Sequence, residues 1–435
     1  MHRPTRFYSG LVSLLLIPIV VLPQAISPSP SATSNARNVE LAVTLDDALR
    51  EARGANAHLP LAALGIDIAR TSVREAKASR SPALALTSSV NTGGPLAYTT
   101  SQGAAQVVGA ATLLDGGLRR ANLSAANYRL QGAGAGFRVV EKDVDLAVRL
   151  WFSEFLRAES EIAFREQGIE RLRSYLSQVE GRRAAGQPVG SDLLTTRVRL
   201  GTEEAALTDA KRALDEARLQ LNDLMGRVPD APLSVAPLPA PALPTIFSGS
   251  PWLATPDVRE AEANTAATQA AIAATRSERR PQLQASANLG ALPVFGRDSG
   301  TGPNSGTGLG GAVLFSLSWP FFDGGVFQAR LDRARLEAQQ AQDSEIVVRR
   351  QARFSSQLAA AQLRGLYQQV ETWNRNIPTA RDAYLQTQSM YTGGAATALE
   401  VLDAYTSWID ANQAYTDAVV RYRQAEANYI RWGTP

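Results

Sequence analysis

Two carboxylates near the end of the chain are the side chains best placed for joint chemistry. Glu400 and Asp403 lie three residues apart, so a helix would carry them on one face, where paired acids attract cations and repel anions. The 435 residues include no cysteine, and the two histidines are His2 and His58. Those counts exclude thiol nucleophiles, disulfides, Cys/His zinc sites and a histidine-based catalytic dyad in the body of the protein. We therefore expect no enzyme, no metal site and no cofactor.

Neither charge nor motif indicates a nucleotide or nucleic-acid partner. The chain has 44 basic and 41 acidic residues, a formal net charge of +3, which is too close to neutrality for a nucleic-acid-binding protein. Residues 306–311 have the glycine spacing of a dinucleotide-binding motif, but a predicted strand follows them instead of preceding them. We assign that motif to a long loop, 298–311.

The amino terminus resembles an export signal. Residues 1–36 contain no acid; Arg3 and Arg6 come first, then an apolar run from Leu11 to Leu22, then a stretch rich in Pro, Ser and Ala. This layout predicts a signal peptide that is cleaved between residues 25 and 36. A membrane anchor is the alternative, although the run is short and prolines interrupt it.

The rest of the chain is an internal duplication, with two copies of one unit. Asp115-Gly116-Gly117 recurs as Asp323-Gly324-Gly325, an offset of 208 (323 − 115), and Pro82-Ala83-Leu84 matches Pro281-Gln282-Leu283, an offset of 199 (281 − 82). A proline-rich linker separates the copies, and such a stretch suits neither helix nor central strand. The predicted divisions are repeat 1 at 44–226, the linker at 227–256 and repeat 2 at 257–435.

Each repeat is predicted to contain two strands of about ten residues, the length that crosses a bilayer when tilted. Apolar and uncharged polar residues alternate along them, so one face of each strand is apolar. An ordinary hairpin on a soluble core is the alternative. The predicted strands are 82–92, 104–114, 281–292 and 309–322, and the predicted lipid face comprises Leu283, Leu289, Phe315, Leu317, Trp319 and Phe321.

Long helices follow each pair of strands. From Leu118 to Ala185 there is no proline, so one helix could reach about 100 Å. Apolar residues recur every three or four positions, as in a coiled-coil seam, and doubled four-residue steps indicate nearly straight packing. The predicted helices are 44–81 (with a break near Gly54 and Pro60), 118–185, 191–225, 257–280, 326–391 and 398–432, and Pro378 is expected to kink one of them.

Four strands cannot close a barrel by themselves. In hydrocarbon an open strand edge leaves backbone groups without hydrogen bonds, so the sheet must be completed by further copies of the chain. Two copies would give eight strands, and three would give twelve and a lumen wide enough for water and solutes.

With these features the chain resembles the TolC-type outer-membrane efflux proteins over essentially its whole mature length. The resemblance is carried by the duplicated strand and helix order, the Asp-Gly-Gly corners, and two similar helix-hairpin tips at 186–194 and 394–404. It implies an α+β membrane protein of TolC-like fold: a homotrimer whose twelve-stranded β-barrel lies in outer-membrane lipid, continued by a long coiled-coil α-helical tunnel in the periplasm.

The resemblance also implies function and partners. Such a protein is the passive outer-membrane channel of a tripartite efflux or type I secretion system, and it meets a periplasmic membrane-fusion adaptor and an inner-membrane RND-type pump or ABC exporter. A periplasmic coiled-coil scaffold or adaptor whose hairpins never enter lipid is the alternative. Exposure of Trp319, Phe321 and Phe322 would favour the channel, because a scaffold would bury them.

The same resemblance assigns a gate at the periplasmic mouth. In a trimer Glu400 and Asp403 would form a ring of six carboxylates, and Asp192 would accept a hydrogen bond from Tyr391 and hold the mouth shut. The alternative is that these acids only favour helix starts. Where relatives carry a basic residue, this chain has Ala396, which argues against a salt-bridge lock there. The expected adaptor contacts are the tip residues Gly186, Pro188, Gly190, Gly393 and Gly394; the alternative is that the glycines only form turns.

Overall fold

The architecture is known from a computed structural model that describes residues 42–93, 100–186, 192–245, 249–297 and 303–433. The predicted signal peptide lies outside these residues, as do the tip residues Pro188 and Gly190. Among the helices of the described part, none is both long enough and apolar enough to cross a membrane.

Both halves of the chain contain the same succession of helix, two strands and two helices. The first half begins with two short helices, α1 and α2, because the helix is interrupted after Ala55. Thr44 caps α1 by accepting a hydrogen bond from the Asp47 amide (3.2 Å). The elements are α1 Leu45–Ala55, α2 His58–Ala78, β1 Ala83–Gly93, β2 Thr100–Leu114, α3 Leu118–Ala184, α4 Asp192–Leu224, α5 Pro256–Glu278, β3 Gln282–Arg297, β4 Pro303–Ser318, α6 Val326–Thr392 and α7 Ala398–Gly433, with one 3₁₀ turn at Pro251–Ala254.

The four strands form one antiparallel sheet in the order β1-β2-β3-β4. Cross-strand partners such as Leu86 and Val107, or Leu283 and Leu317, bring the apolar positions of all four strands to one face. A bulge between Thr112 and Leu114 shifts the register, so Leu114 pairs with Leu283.

Strand β4 differs from its prediction at both ends. It begins at Pro303, so the glycine motif at 306–311 lies within the strand and not in a loop. Glycine spacing alone does not distinguish the two, since pairing with β3 overrides the loop preference. The strand ends at Ser318, just before Pro320, which has no amide hydrogen to donate. Trp319 and Phe321 therefore follow the strand.

Asp-Gly-Gly corners turn each second strand into a long helix. The Asp115 carboxylate accepts hydrogen bonds from the amides of Gly117 (3.0 Å) and Arg119 (2.9 Å). Gly117 and its repeat equivalent Gly325 have φ of 97° and 96°, a left-handed conformation that glycine adopts without a steric cost. Asp323 caps the second corner in the same way.

Helices α3 and α6 each have 67 residues, a length of about 100 Å. Each returns through a tip into a partner helix, so α3–α4 and α6–α7 are two long helical hairpins, and α6 continues through Pro378. Near the sheet, α5 packs between α3 and α6. The linker lies against the hairpins, where the Tyr422 hydroxyl donates to the Ala242 carbonyl (2.7 Å).

Candidate functional site

The start of α7, just past the second tip, holds the predicted gate acid Glu400. Its carboxylate accepts hydrogen bonds from the Thr397 amide (2.6 Å) and hydroxyl (3.0 Å), while the Glu400 amide donates to the same hydroxyl (3.3 Å). This reciprocal arrangement is a capping box. The Thr397 amide and then the Thr397 hydroxyl lower the pKa of Glu400, so its carboxylate is negative at neutral pH.

Asp403, one turn further on, has a different partner. Arg199 of α4 donates to its carboxylate (3.1 Å), and the Asp403 side chain is 58% exposed. Such an exposed pair contributes little stability, but it connects the second hairpin to the first. The two predicted gate acids thus share a helix turn, yet one caps its own helix and the other contacts α4.

Tyr391 lies at the end of α6, where its hydroxyl accepts a hydrogen bond from Arg182 of α3. The Arg182 guanidinium carbon also lies 5.5 Å from the centre of the Tyr391 ring. The side chain of Asp192 lies outside the described residues, so its contact with Tyr391 stays a prediction. Arg182 and Arg199 are partners of the gate residues that the sequence did not indicate. The repeat offset could have indicated Arg182. Its repeat equivalent is residue 390 (182 + 208), next to Tyr391, so Arg182 and Tyr391 lie at about the same distance from their tips.

Each tip begins with a glycine just after the long helix. Gly186 and Gly394 have φ of 74° and 77°, which favours glycine over any other residue, and a Cβ atom added at either would meet nothing within 4 Å. Gly393 ends α6 with φ −81°. Exposed backbone at a hairpin end is suited to contact with another protein. The adaptor contacts stay a prediction.

The apolar face of the sheet is uncovered in the isolated chain. The exposed fraction is 66% for Leu289, 65% for Phe315, 68% for Leu317, 62% for Trp319 and 74% for Phe321, while Leu283 is half-buried. An exposed apolar surface of this kind marks an interaction site. The other face carries uncharged polar side chains, among them Thr87, Gln106, Gln284, Ser286, Asn288 and Ser316.

The outer helices also have uncovered apolar faces. On α2, next to edge strand β1, Leu61, Leu64 and Ile68 are 67%, 57% and 68% exposed. On α6, next to edge strand β4, Leu336 and Val347 are 66% and 63% exposed. Each side of the molecule therefore combines an open strand edge with an apolar helix face.

The chain thus combines a sheet that has one apolar and one polar face with helical hairpins about 100 Å long. The sequence profile of the family described as Outer membrane efflux protein matches residues 48–227 and 253–430, most of both repeats. The chain belongs to this family. The predicted family and outer-membrane localisation are thereby confirmed, and the solved structures below confirm the TolC-like fold of the single chain.

Two relatives in sequence are named for export or secretion. The chain is 26% identical over 275 residues to the pyoverdine export outer membrane protein OpmQ of Pseudomonas aeruginosa, covering 61% of this chain and 56% of OpmQ. It is 25% identical over 319 residues to the proteases secretion protein PrtF of Dickeya chrysanthemi, covering 67% and 64%. The chain thus aligns with less than two thirds of either relative's length.

Solved structures match the fold over nearly the whole chain. CusC superposes with a TM-score of 0.79 at 21% identity, covering 95% of this chain and 99% of CusC. The open state of the MtrE outer membrane channel of Neisseria gonorrhoeae superposes with a TM-score of 0.77 at 20% identity, covering 95% and 98%. At such identities the likeness concerns the fold.

Proposed function

We propose that this protein is the passive outer-membrane channel of a tripartite efflux or type I secretion system. Three copies would close a twelve-stranded barrel, through which substrates leave the cell without catalysis. The observation that carries the proposal is the sheet with two open edges, one exposed apolar face and one uncharged polar face.

The open edges require further copies. A strand edge in hydrocarbon leaves amide and carbonyl groups without partners, at a cost of several kcal/mol each. Pairing β4 of one copy with β1 of the next satisfies both edges, places the apolar face toward lipid and turns the polar face toward the lumen. A periplasmic scaffold would instead bury Trp319 and Phe321, which are 62% and 74% exposed.

The internal repeat indicates how neighbouring copies would pack. Within the chain, α5 packs on α3: a Cβ atom at Gly132 would lie 3.5 Å from Ala263, and Ala267 one turn on is 2% exposed. With the offset of 199, the repeat equivalents of Ala263 and Ala267 are Leu64 and Ile68 of α2. With the offset of 208, the repeat equivalent of α3 is α6. The exposed face of α2 is therefore the repeat equivalent of a buried face.

The same operation supplies the opposite surface. Gly132 becomes Gln340 of α6, a position flanked by the exposed Leu336 and Val347. We infer that α2 of one copy packs on α6 of the next as α5 packs on α3. Three such seams, with the four strands of each chain, would close a ring of twelve helices over a ring of twelve strands.

The hairpin tips would form the periplasmic mouth. There Glu400 and Asp403 of three copies would give a ring of six carboxylates that attracts cations and slows anions, and the Asp192 to Tyr391 contact would help to hold the mouth closed. The glycine tips, including Gly186 and Gly394, would contact a periplasmic adaptor. The pump behind it would be of the RND type or an ABC exporter, and these partners would select the cargo.

Reconstitution tests the proposal. We expect the full-length protein to fractionate with outer membranes, to require detergent for extraction, to migrate as an SDS-resistant trimer and to conduct ions in planar lipid bilayers. Glu400→Gln with Asp403→Asn should reduce the preference for cations, whereas Asp209→Asn, at an exposed position on α4, should not. A soluble monomer that does not conduct would contradict the proposal.

A further inference from the structure

Basic side chains are concentrated where the sheet meets the helices. The pairing of Leu114 with Leu283, and of Gln282 with Ser318, places the ends of β2 and β4 beside the start of β3, and β1 begins at the same edge. Helices α2, α3, α5 and α6 therefore all meet the sheet at one level, which we call the corner level. The twelve-residue segments next to this edge are 71–82, 115–126, 270–281 and 319–330. They contain nine basic residues, the corner bases: Arg74, Lys77, Arg80, Arg119, Arg120, Arg276, Arg279, Arg280 and Arg330.

The corner level is positively charged, and the rest of the chain is not. The same segments contain four acids, so their net charge is +5 (9 − 4). The whole chain has a net charge of +3, which leaves −2 for all other residues (3 − 5). Among the acids, Asp115 and Asp323 cap the corners, and Glu278 pairs with Arg330 (3.4 Å). Within the part of the chain that the structure describes, seven corner bases are exposed and have no ion pair: Arg74, Lys77, Arg80, Arg120, Arg276, Arg279 and Arg280.

Helix stability does not account for all of this charge. The carboxyl ends of α2 and α5 favour cations through the helix dipole, which suits Lys77 and Arg276. Arg120, however, is the third residue of α3, where the same dipole disfavours a cation. Both copies of the duplicated unit nevertheless carry bases at this level, since Lys77 and Arg80 are equivalent to Arg276 and Arg279 at the offset of 199. The charge therefore calls for a partner outside the chain.

The corner level is also where the apolar face of the sheet ends. Trp319, Phe321 and Phe322 directly follow β4 and are 62%, 74% and 84% exposed. Aromatic side chains are enriched where the hydrocarbon of a membrane meets the headgroups. Lysine and arginine next to such a surface lay their apolar stems along it and extend their charged ends toward the headgroups. The corner bases thus continue the apolar face at the depth where headgroups would lie.

The packing of α2 leaves two corner bases on the outer side of an assembled ring. A helix turns about 100° per residue, so Val73, which is 6% exposed on the helix that packs against α3, lies about 140° from Ile68, which would face the neighbouring copy. These contacts divide the surface of α2 into arcs of about 140° and about 220°. In a closed ring each helix turns its wider arc outward. Arg74 and Lys77, at about 240° and about 180° from Ile68, lie on that wider arc.

We propose that the corner bases bind the anionic headgroups of phospholipids in the periplasmic leaflet of the outer membrane. The inference rests on the proposed channel function, because the sheet lies in lipid only as part of the assembled barrel. A headgroup phosphate accepts charge-assisted hydrogen bonds from guanidinium and ammonium groups, and each base near an anionic surface strengthens binding roughly fivefold. The bound lipids fix the depth of the barrel in the membrane.

Trp319 is a natural reporter of the lipid at this level. The chain has six tryptophans, and the other five lie at least as far from the sheet as the start of α5, whose 23 residues span about 35 Å. In vesicles that mix phosphatidylglycerol with phosphatidylcholine, the acyl chains of one lipid at a time are brominated, and quenching of Trp319 measures the share of that lipid beside the protein. We expect a preference of roughly fivefold for phosphatidylglycerol. Equal quenching by the two lipids would overturn the proposal.

A combined substitution tests whether the corner bases cause this preference. The corner variant keeps Arg279 and Arg280, which contact the Phe327 ring (5.2 Å) and the Gly116 carbonyl (2.7 Å), and comprises Arg74→Gln, Lys77→Gln, Arg80→Gln and Arg276→Gln. The matched control removes four exposed bases from the α3–α4 hairpin, far from the sheet, through Arg173→Gln, Arg197→Gln, Lys211→Gln and Arg212→Gln. The preference for phosphatidylglycerol should fall roughly threefold or more in the corner variant and persist in the control. The same preference in both variants would overturn the proposal.

Salt provides a test that needs no substitution, so it remains informative if the corner variant does not assemble. Raising the NaCl concentration from about 0.1 M to about 1 M shortens the Debye length from about 10 Å to about 3 Å, and the lipid preference of the wild-type protein should fall with it. A preference that salt does not change would show that the charge of the corner bases is not its cause, which overturns the proposal. Absence of Trp319 quenching by either brominated lipid would instead contradict the channel, because the apolar face would then lie outside the membrane.

Discussion

Ile68 offers the most direct test of how copies of this chain assemble. In the isolated chain its side chain is 68% exposed, whereas its repeat equivalent Ala267, one turn beyond the Ala263 that faces α3, is 2% exposed. If α6 of a neighbour covers α2 in the same way, roughly two thirds of the Ile68 side chain leaves water. Complete burial of such a side chain contributes about 1.5–3 kcal/mol, so each seam gains about 1–2 kcal/mol from Ile68.

The substitution Ile68→Asp removes that gain and adds a cost. A carboxylate without a partner in a closed helix seam loses its hydration, which costs several kcal/mol or forces protonation. Even at about 3 kcal/mol per seam, three seams in a closed ring lose about 9 kcal/mol, comparable with the whole stability of a typical domain. We expect the trimer not to form.

The assay is the oligomeric state of detergent-extracted protein, measured by unheated SDS gel electrophoresis and by native mass. The control is Arg70→Asp, which places a carboxylate on the opposite face of α2. Arg70 and its partner Asp67 are 60% and 61% exposed, so losing their ion pair has little effect. If Ile68→Asp yields as much trimer as Arg70→Asp, the packing inferred from the repeat is wrong.

Three further predictions concern the stability of the individual chain and its gate. Arg431 is 3% exposed and is paired with Asp257. Arg431→Met should lower the melting temperature, because the unpaired carboxylate costs about 3 kcal/mol of folding free energy. Adding Asp257→Asn removes that unpaired charge and should restore part of the stability. A Cβ atom at Gly290 would lie 2.2 Å from a backbone oxygen of β2, so Gly290→Val should separate β2 from β3 and abolish heat-resistant trimers, an effect that Gly290→Ala should show more weakly. Because hydrogen bonds from Thr397 lower the pKa of Glu400, the cap is intact above the ordinary glutamate pKa of about 4.3 and is lost as the pH falls through the lowered value. The protection factors of the amides at the start of α7, which compare observed with intrinsic exchange at each pH, should therefore fall in acid. They should not fall in Glu400→Gln, which retains a capping side chain.

Much of the fold could be predicted from periodicity. The two long helices, the four strands and the apolar face that they share follow from apolar spacings of 3.6 and 2, and the repeat offset ordered the elements. The ends of β4 and the bulge at Leu114 could not be predicted in this way. Register depends on hydrogen bonds between strands that are distant in sequence, and a one-residue slip exchanges the two faces of a strand.

The sequence by itself determined the architecture: an exported chain, duplicated, with an unfinished sheet on long hairpins. Only the tertiary structure decided which side chains meet across the hairpins. Nothing in the local sequence distinguishes Arg171, Arg182 and Arg199 from other arginines of the long helices. Their aromatic and acidic partners lie more than 200 residues away in the sequence. Helical periodicity specifies a face, but the partner of that face depends on the rotation and relative height of two packed helices, which the completed packing of both hairpins fixes.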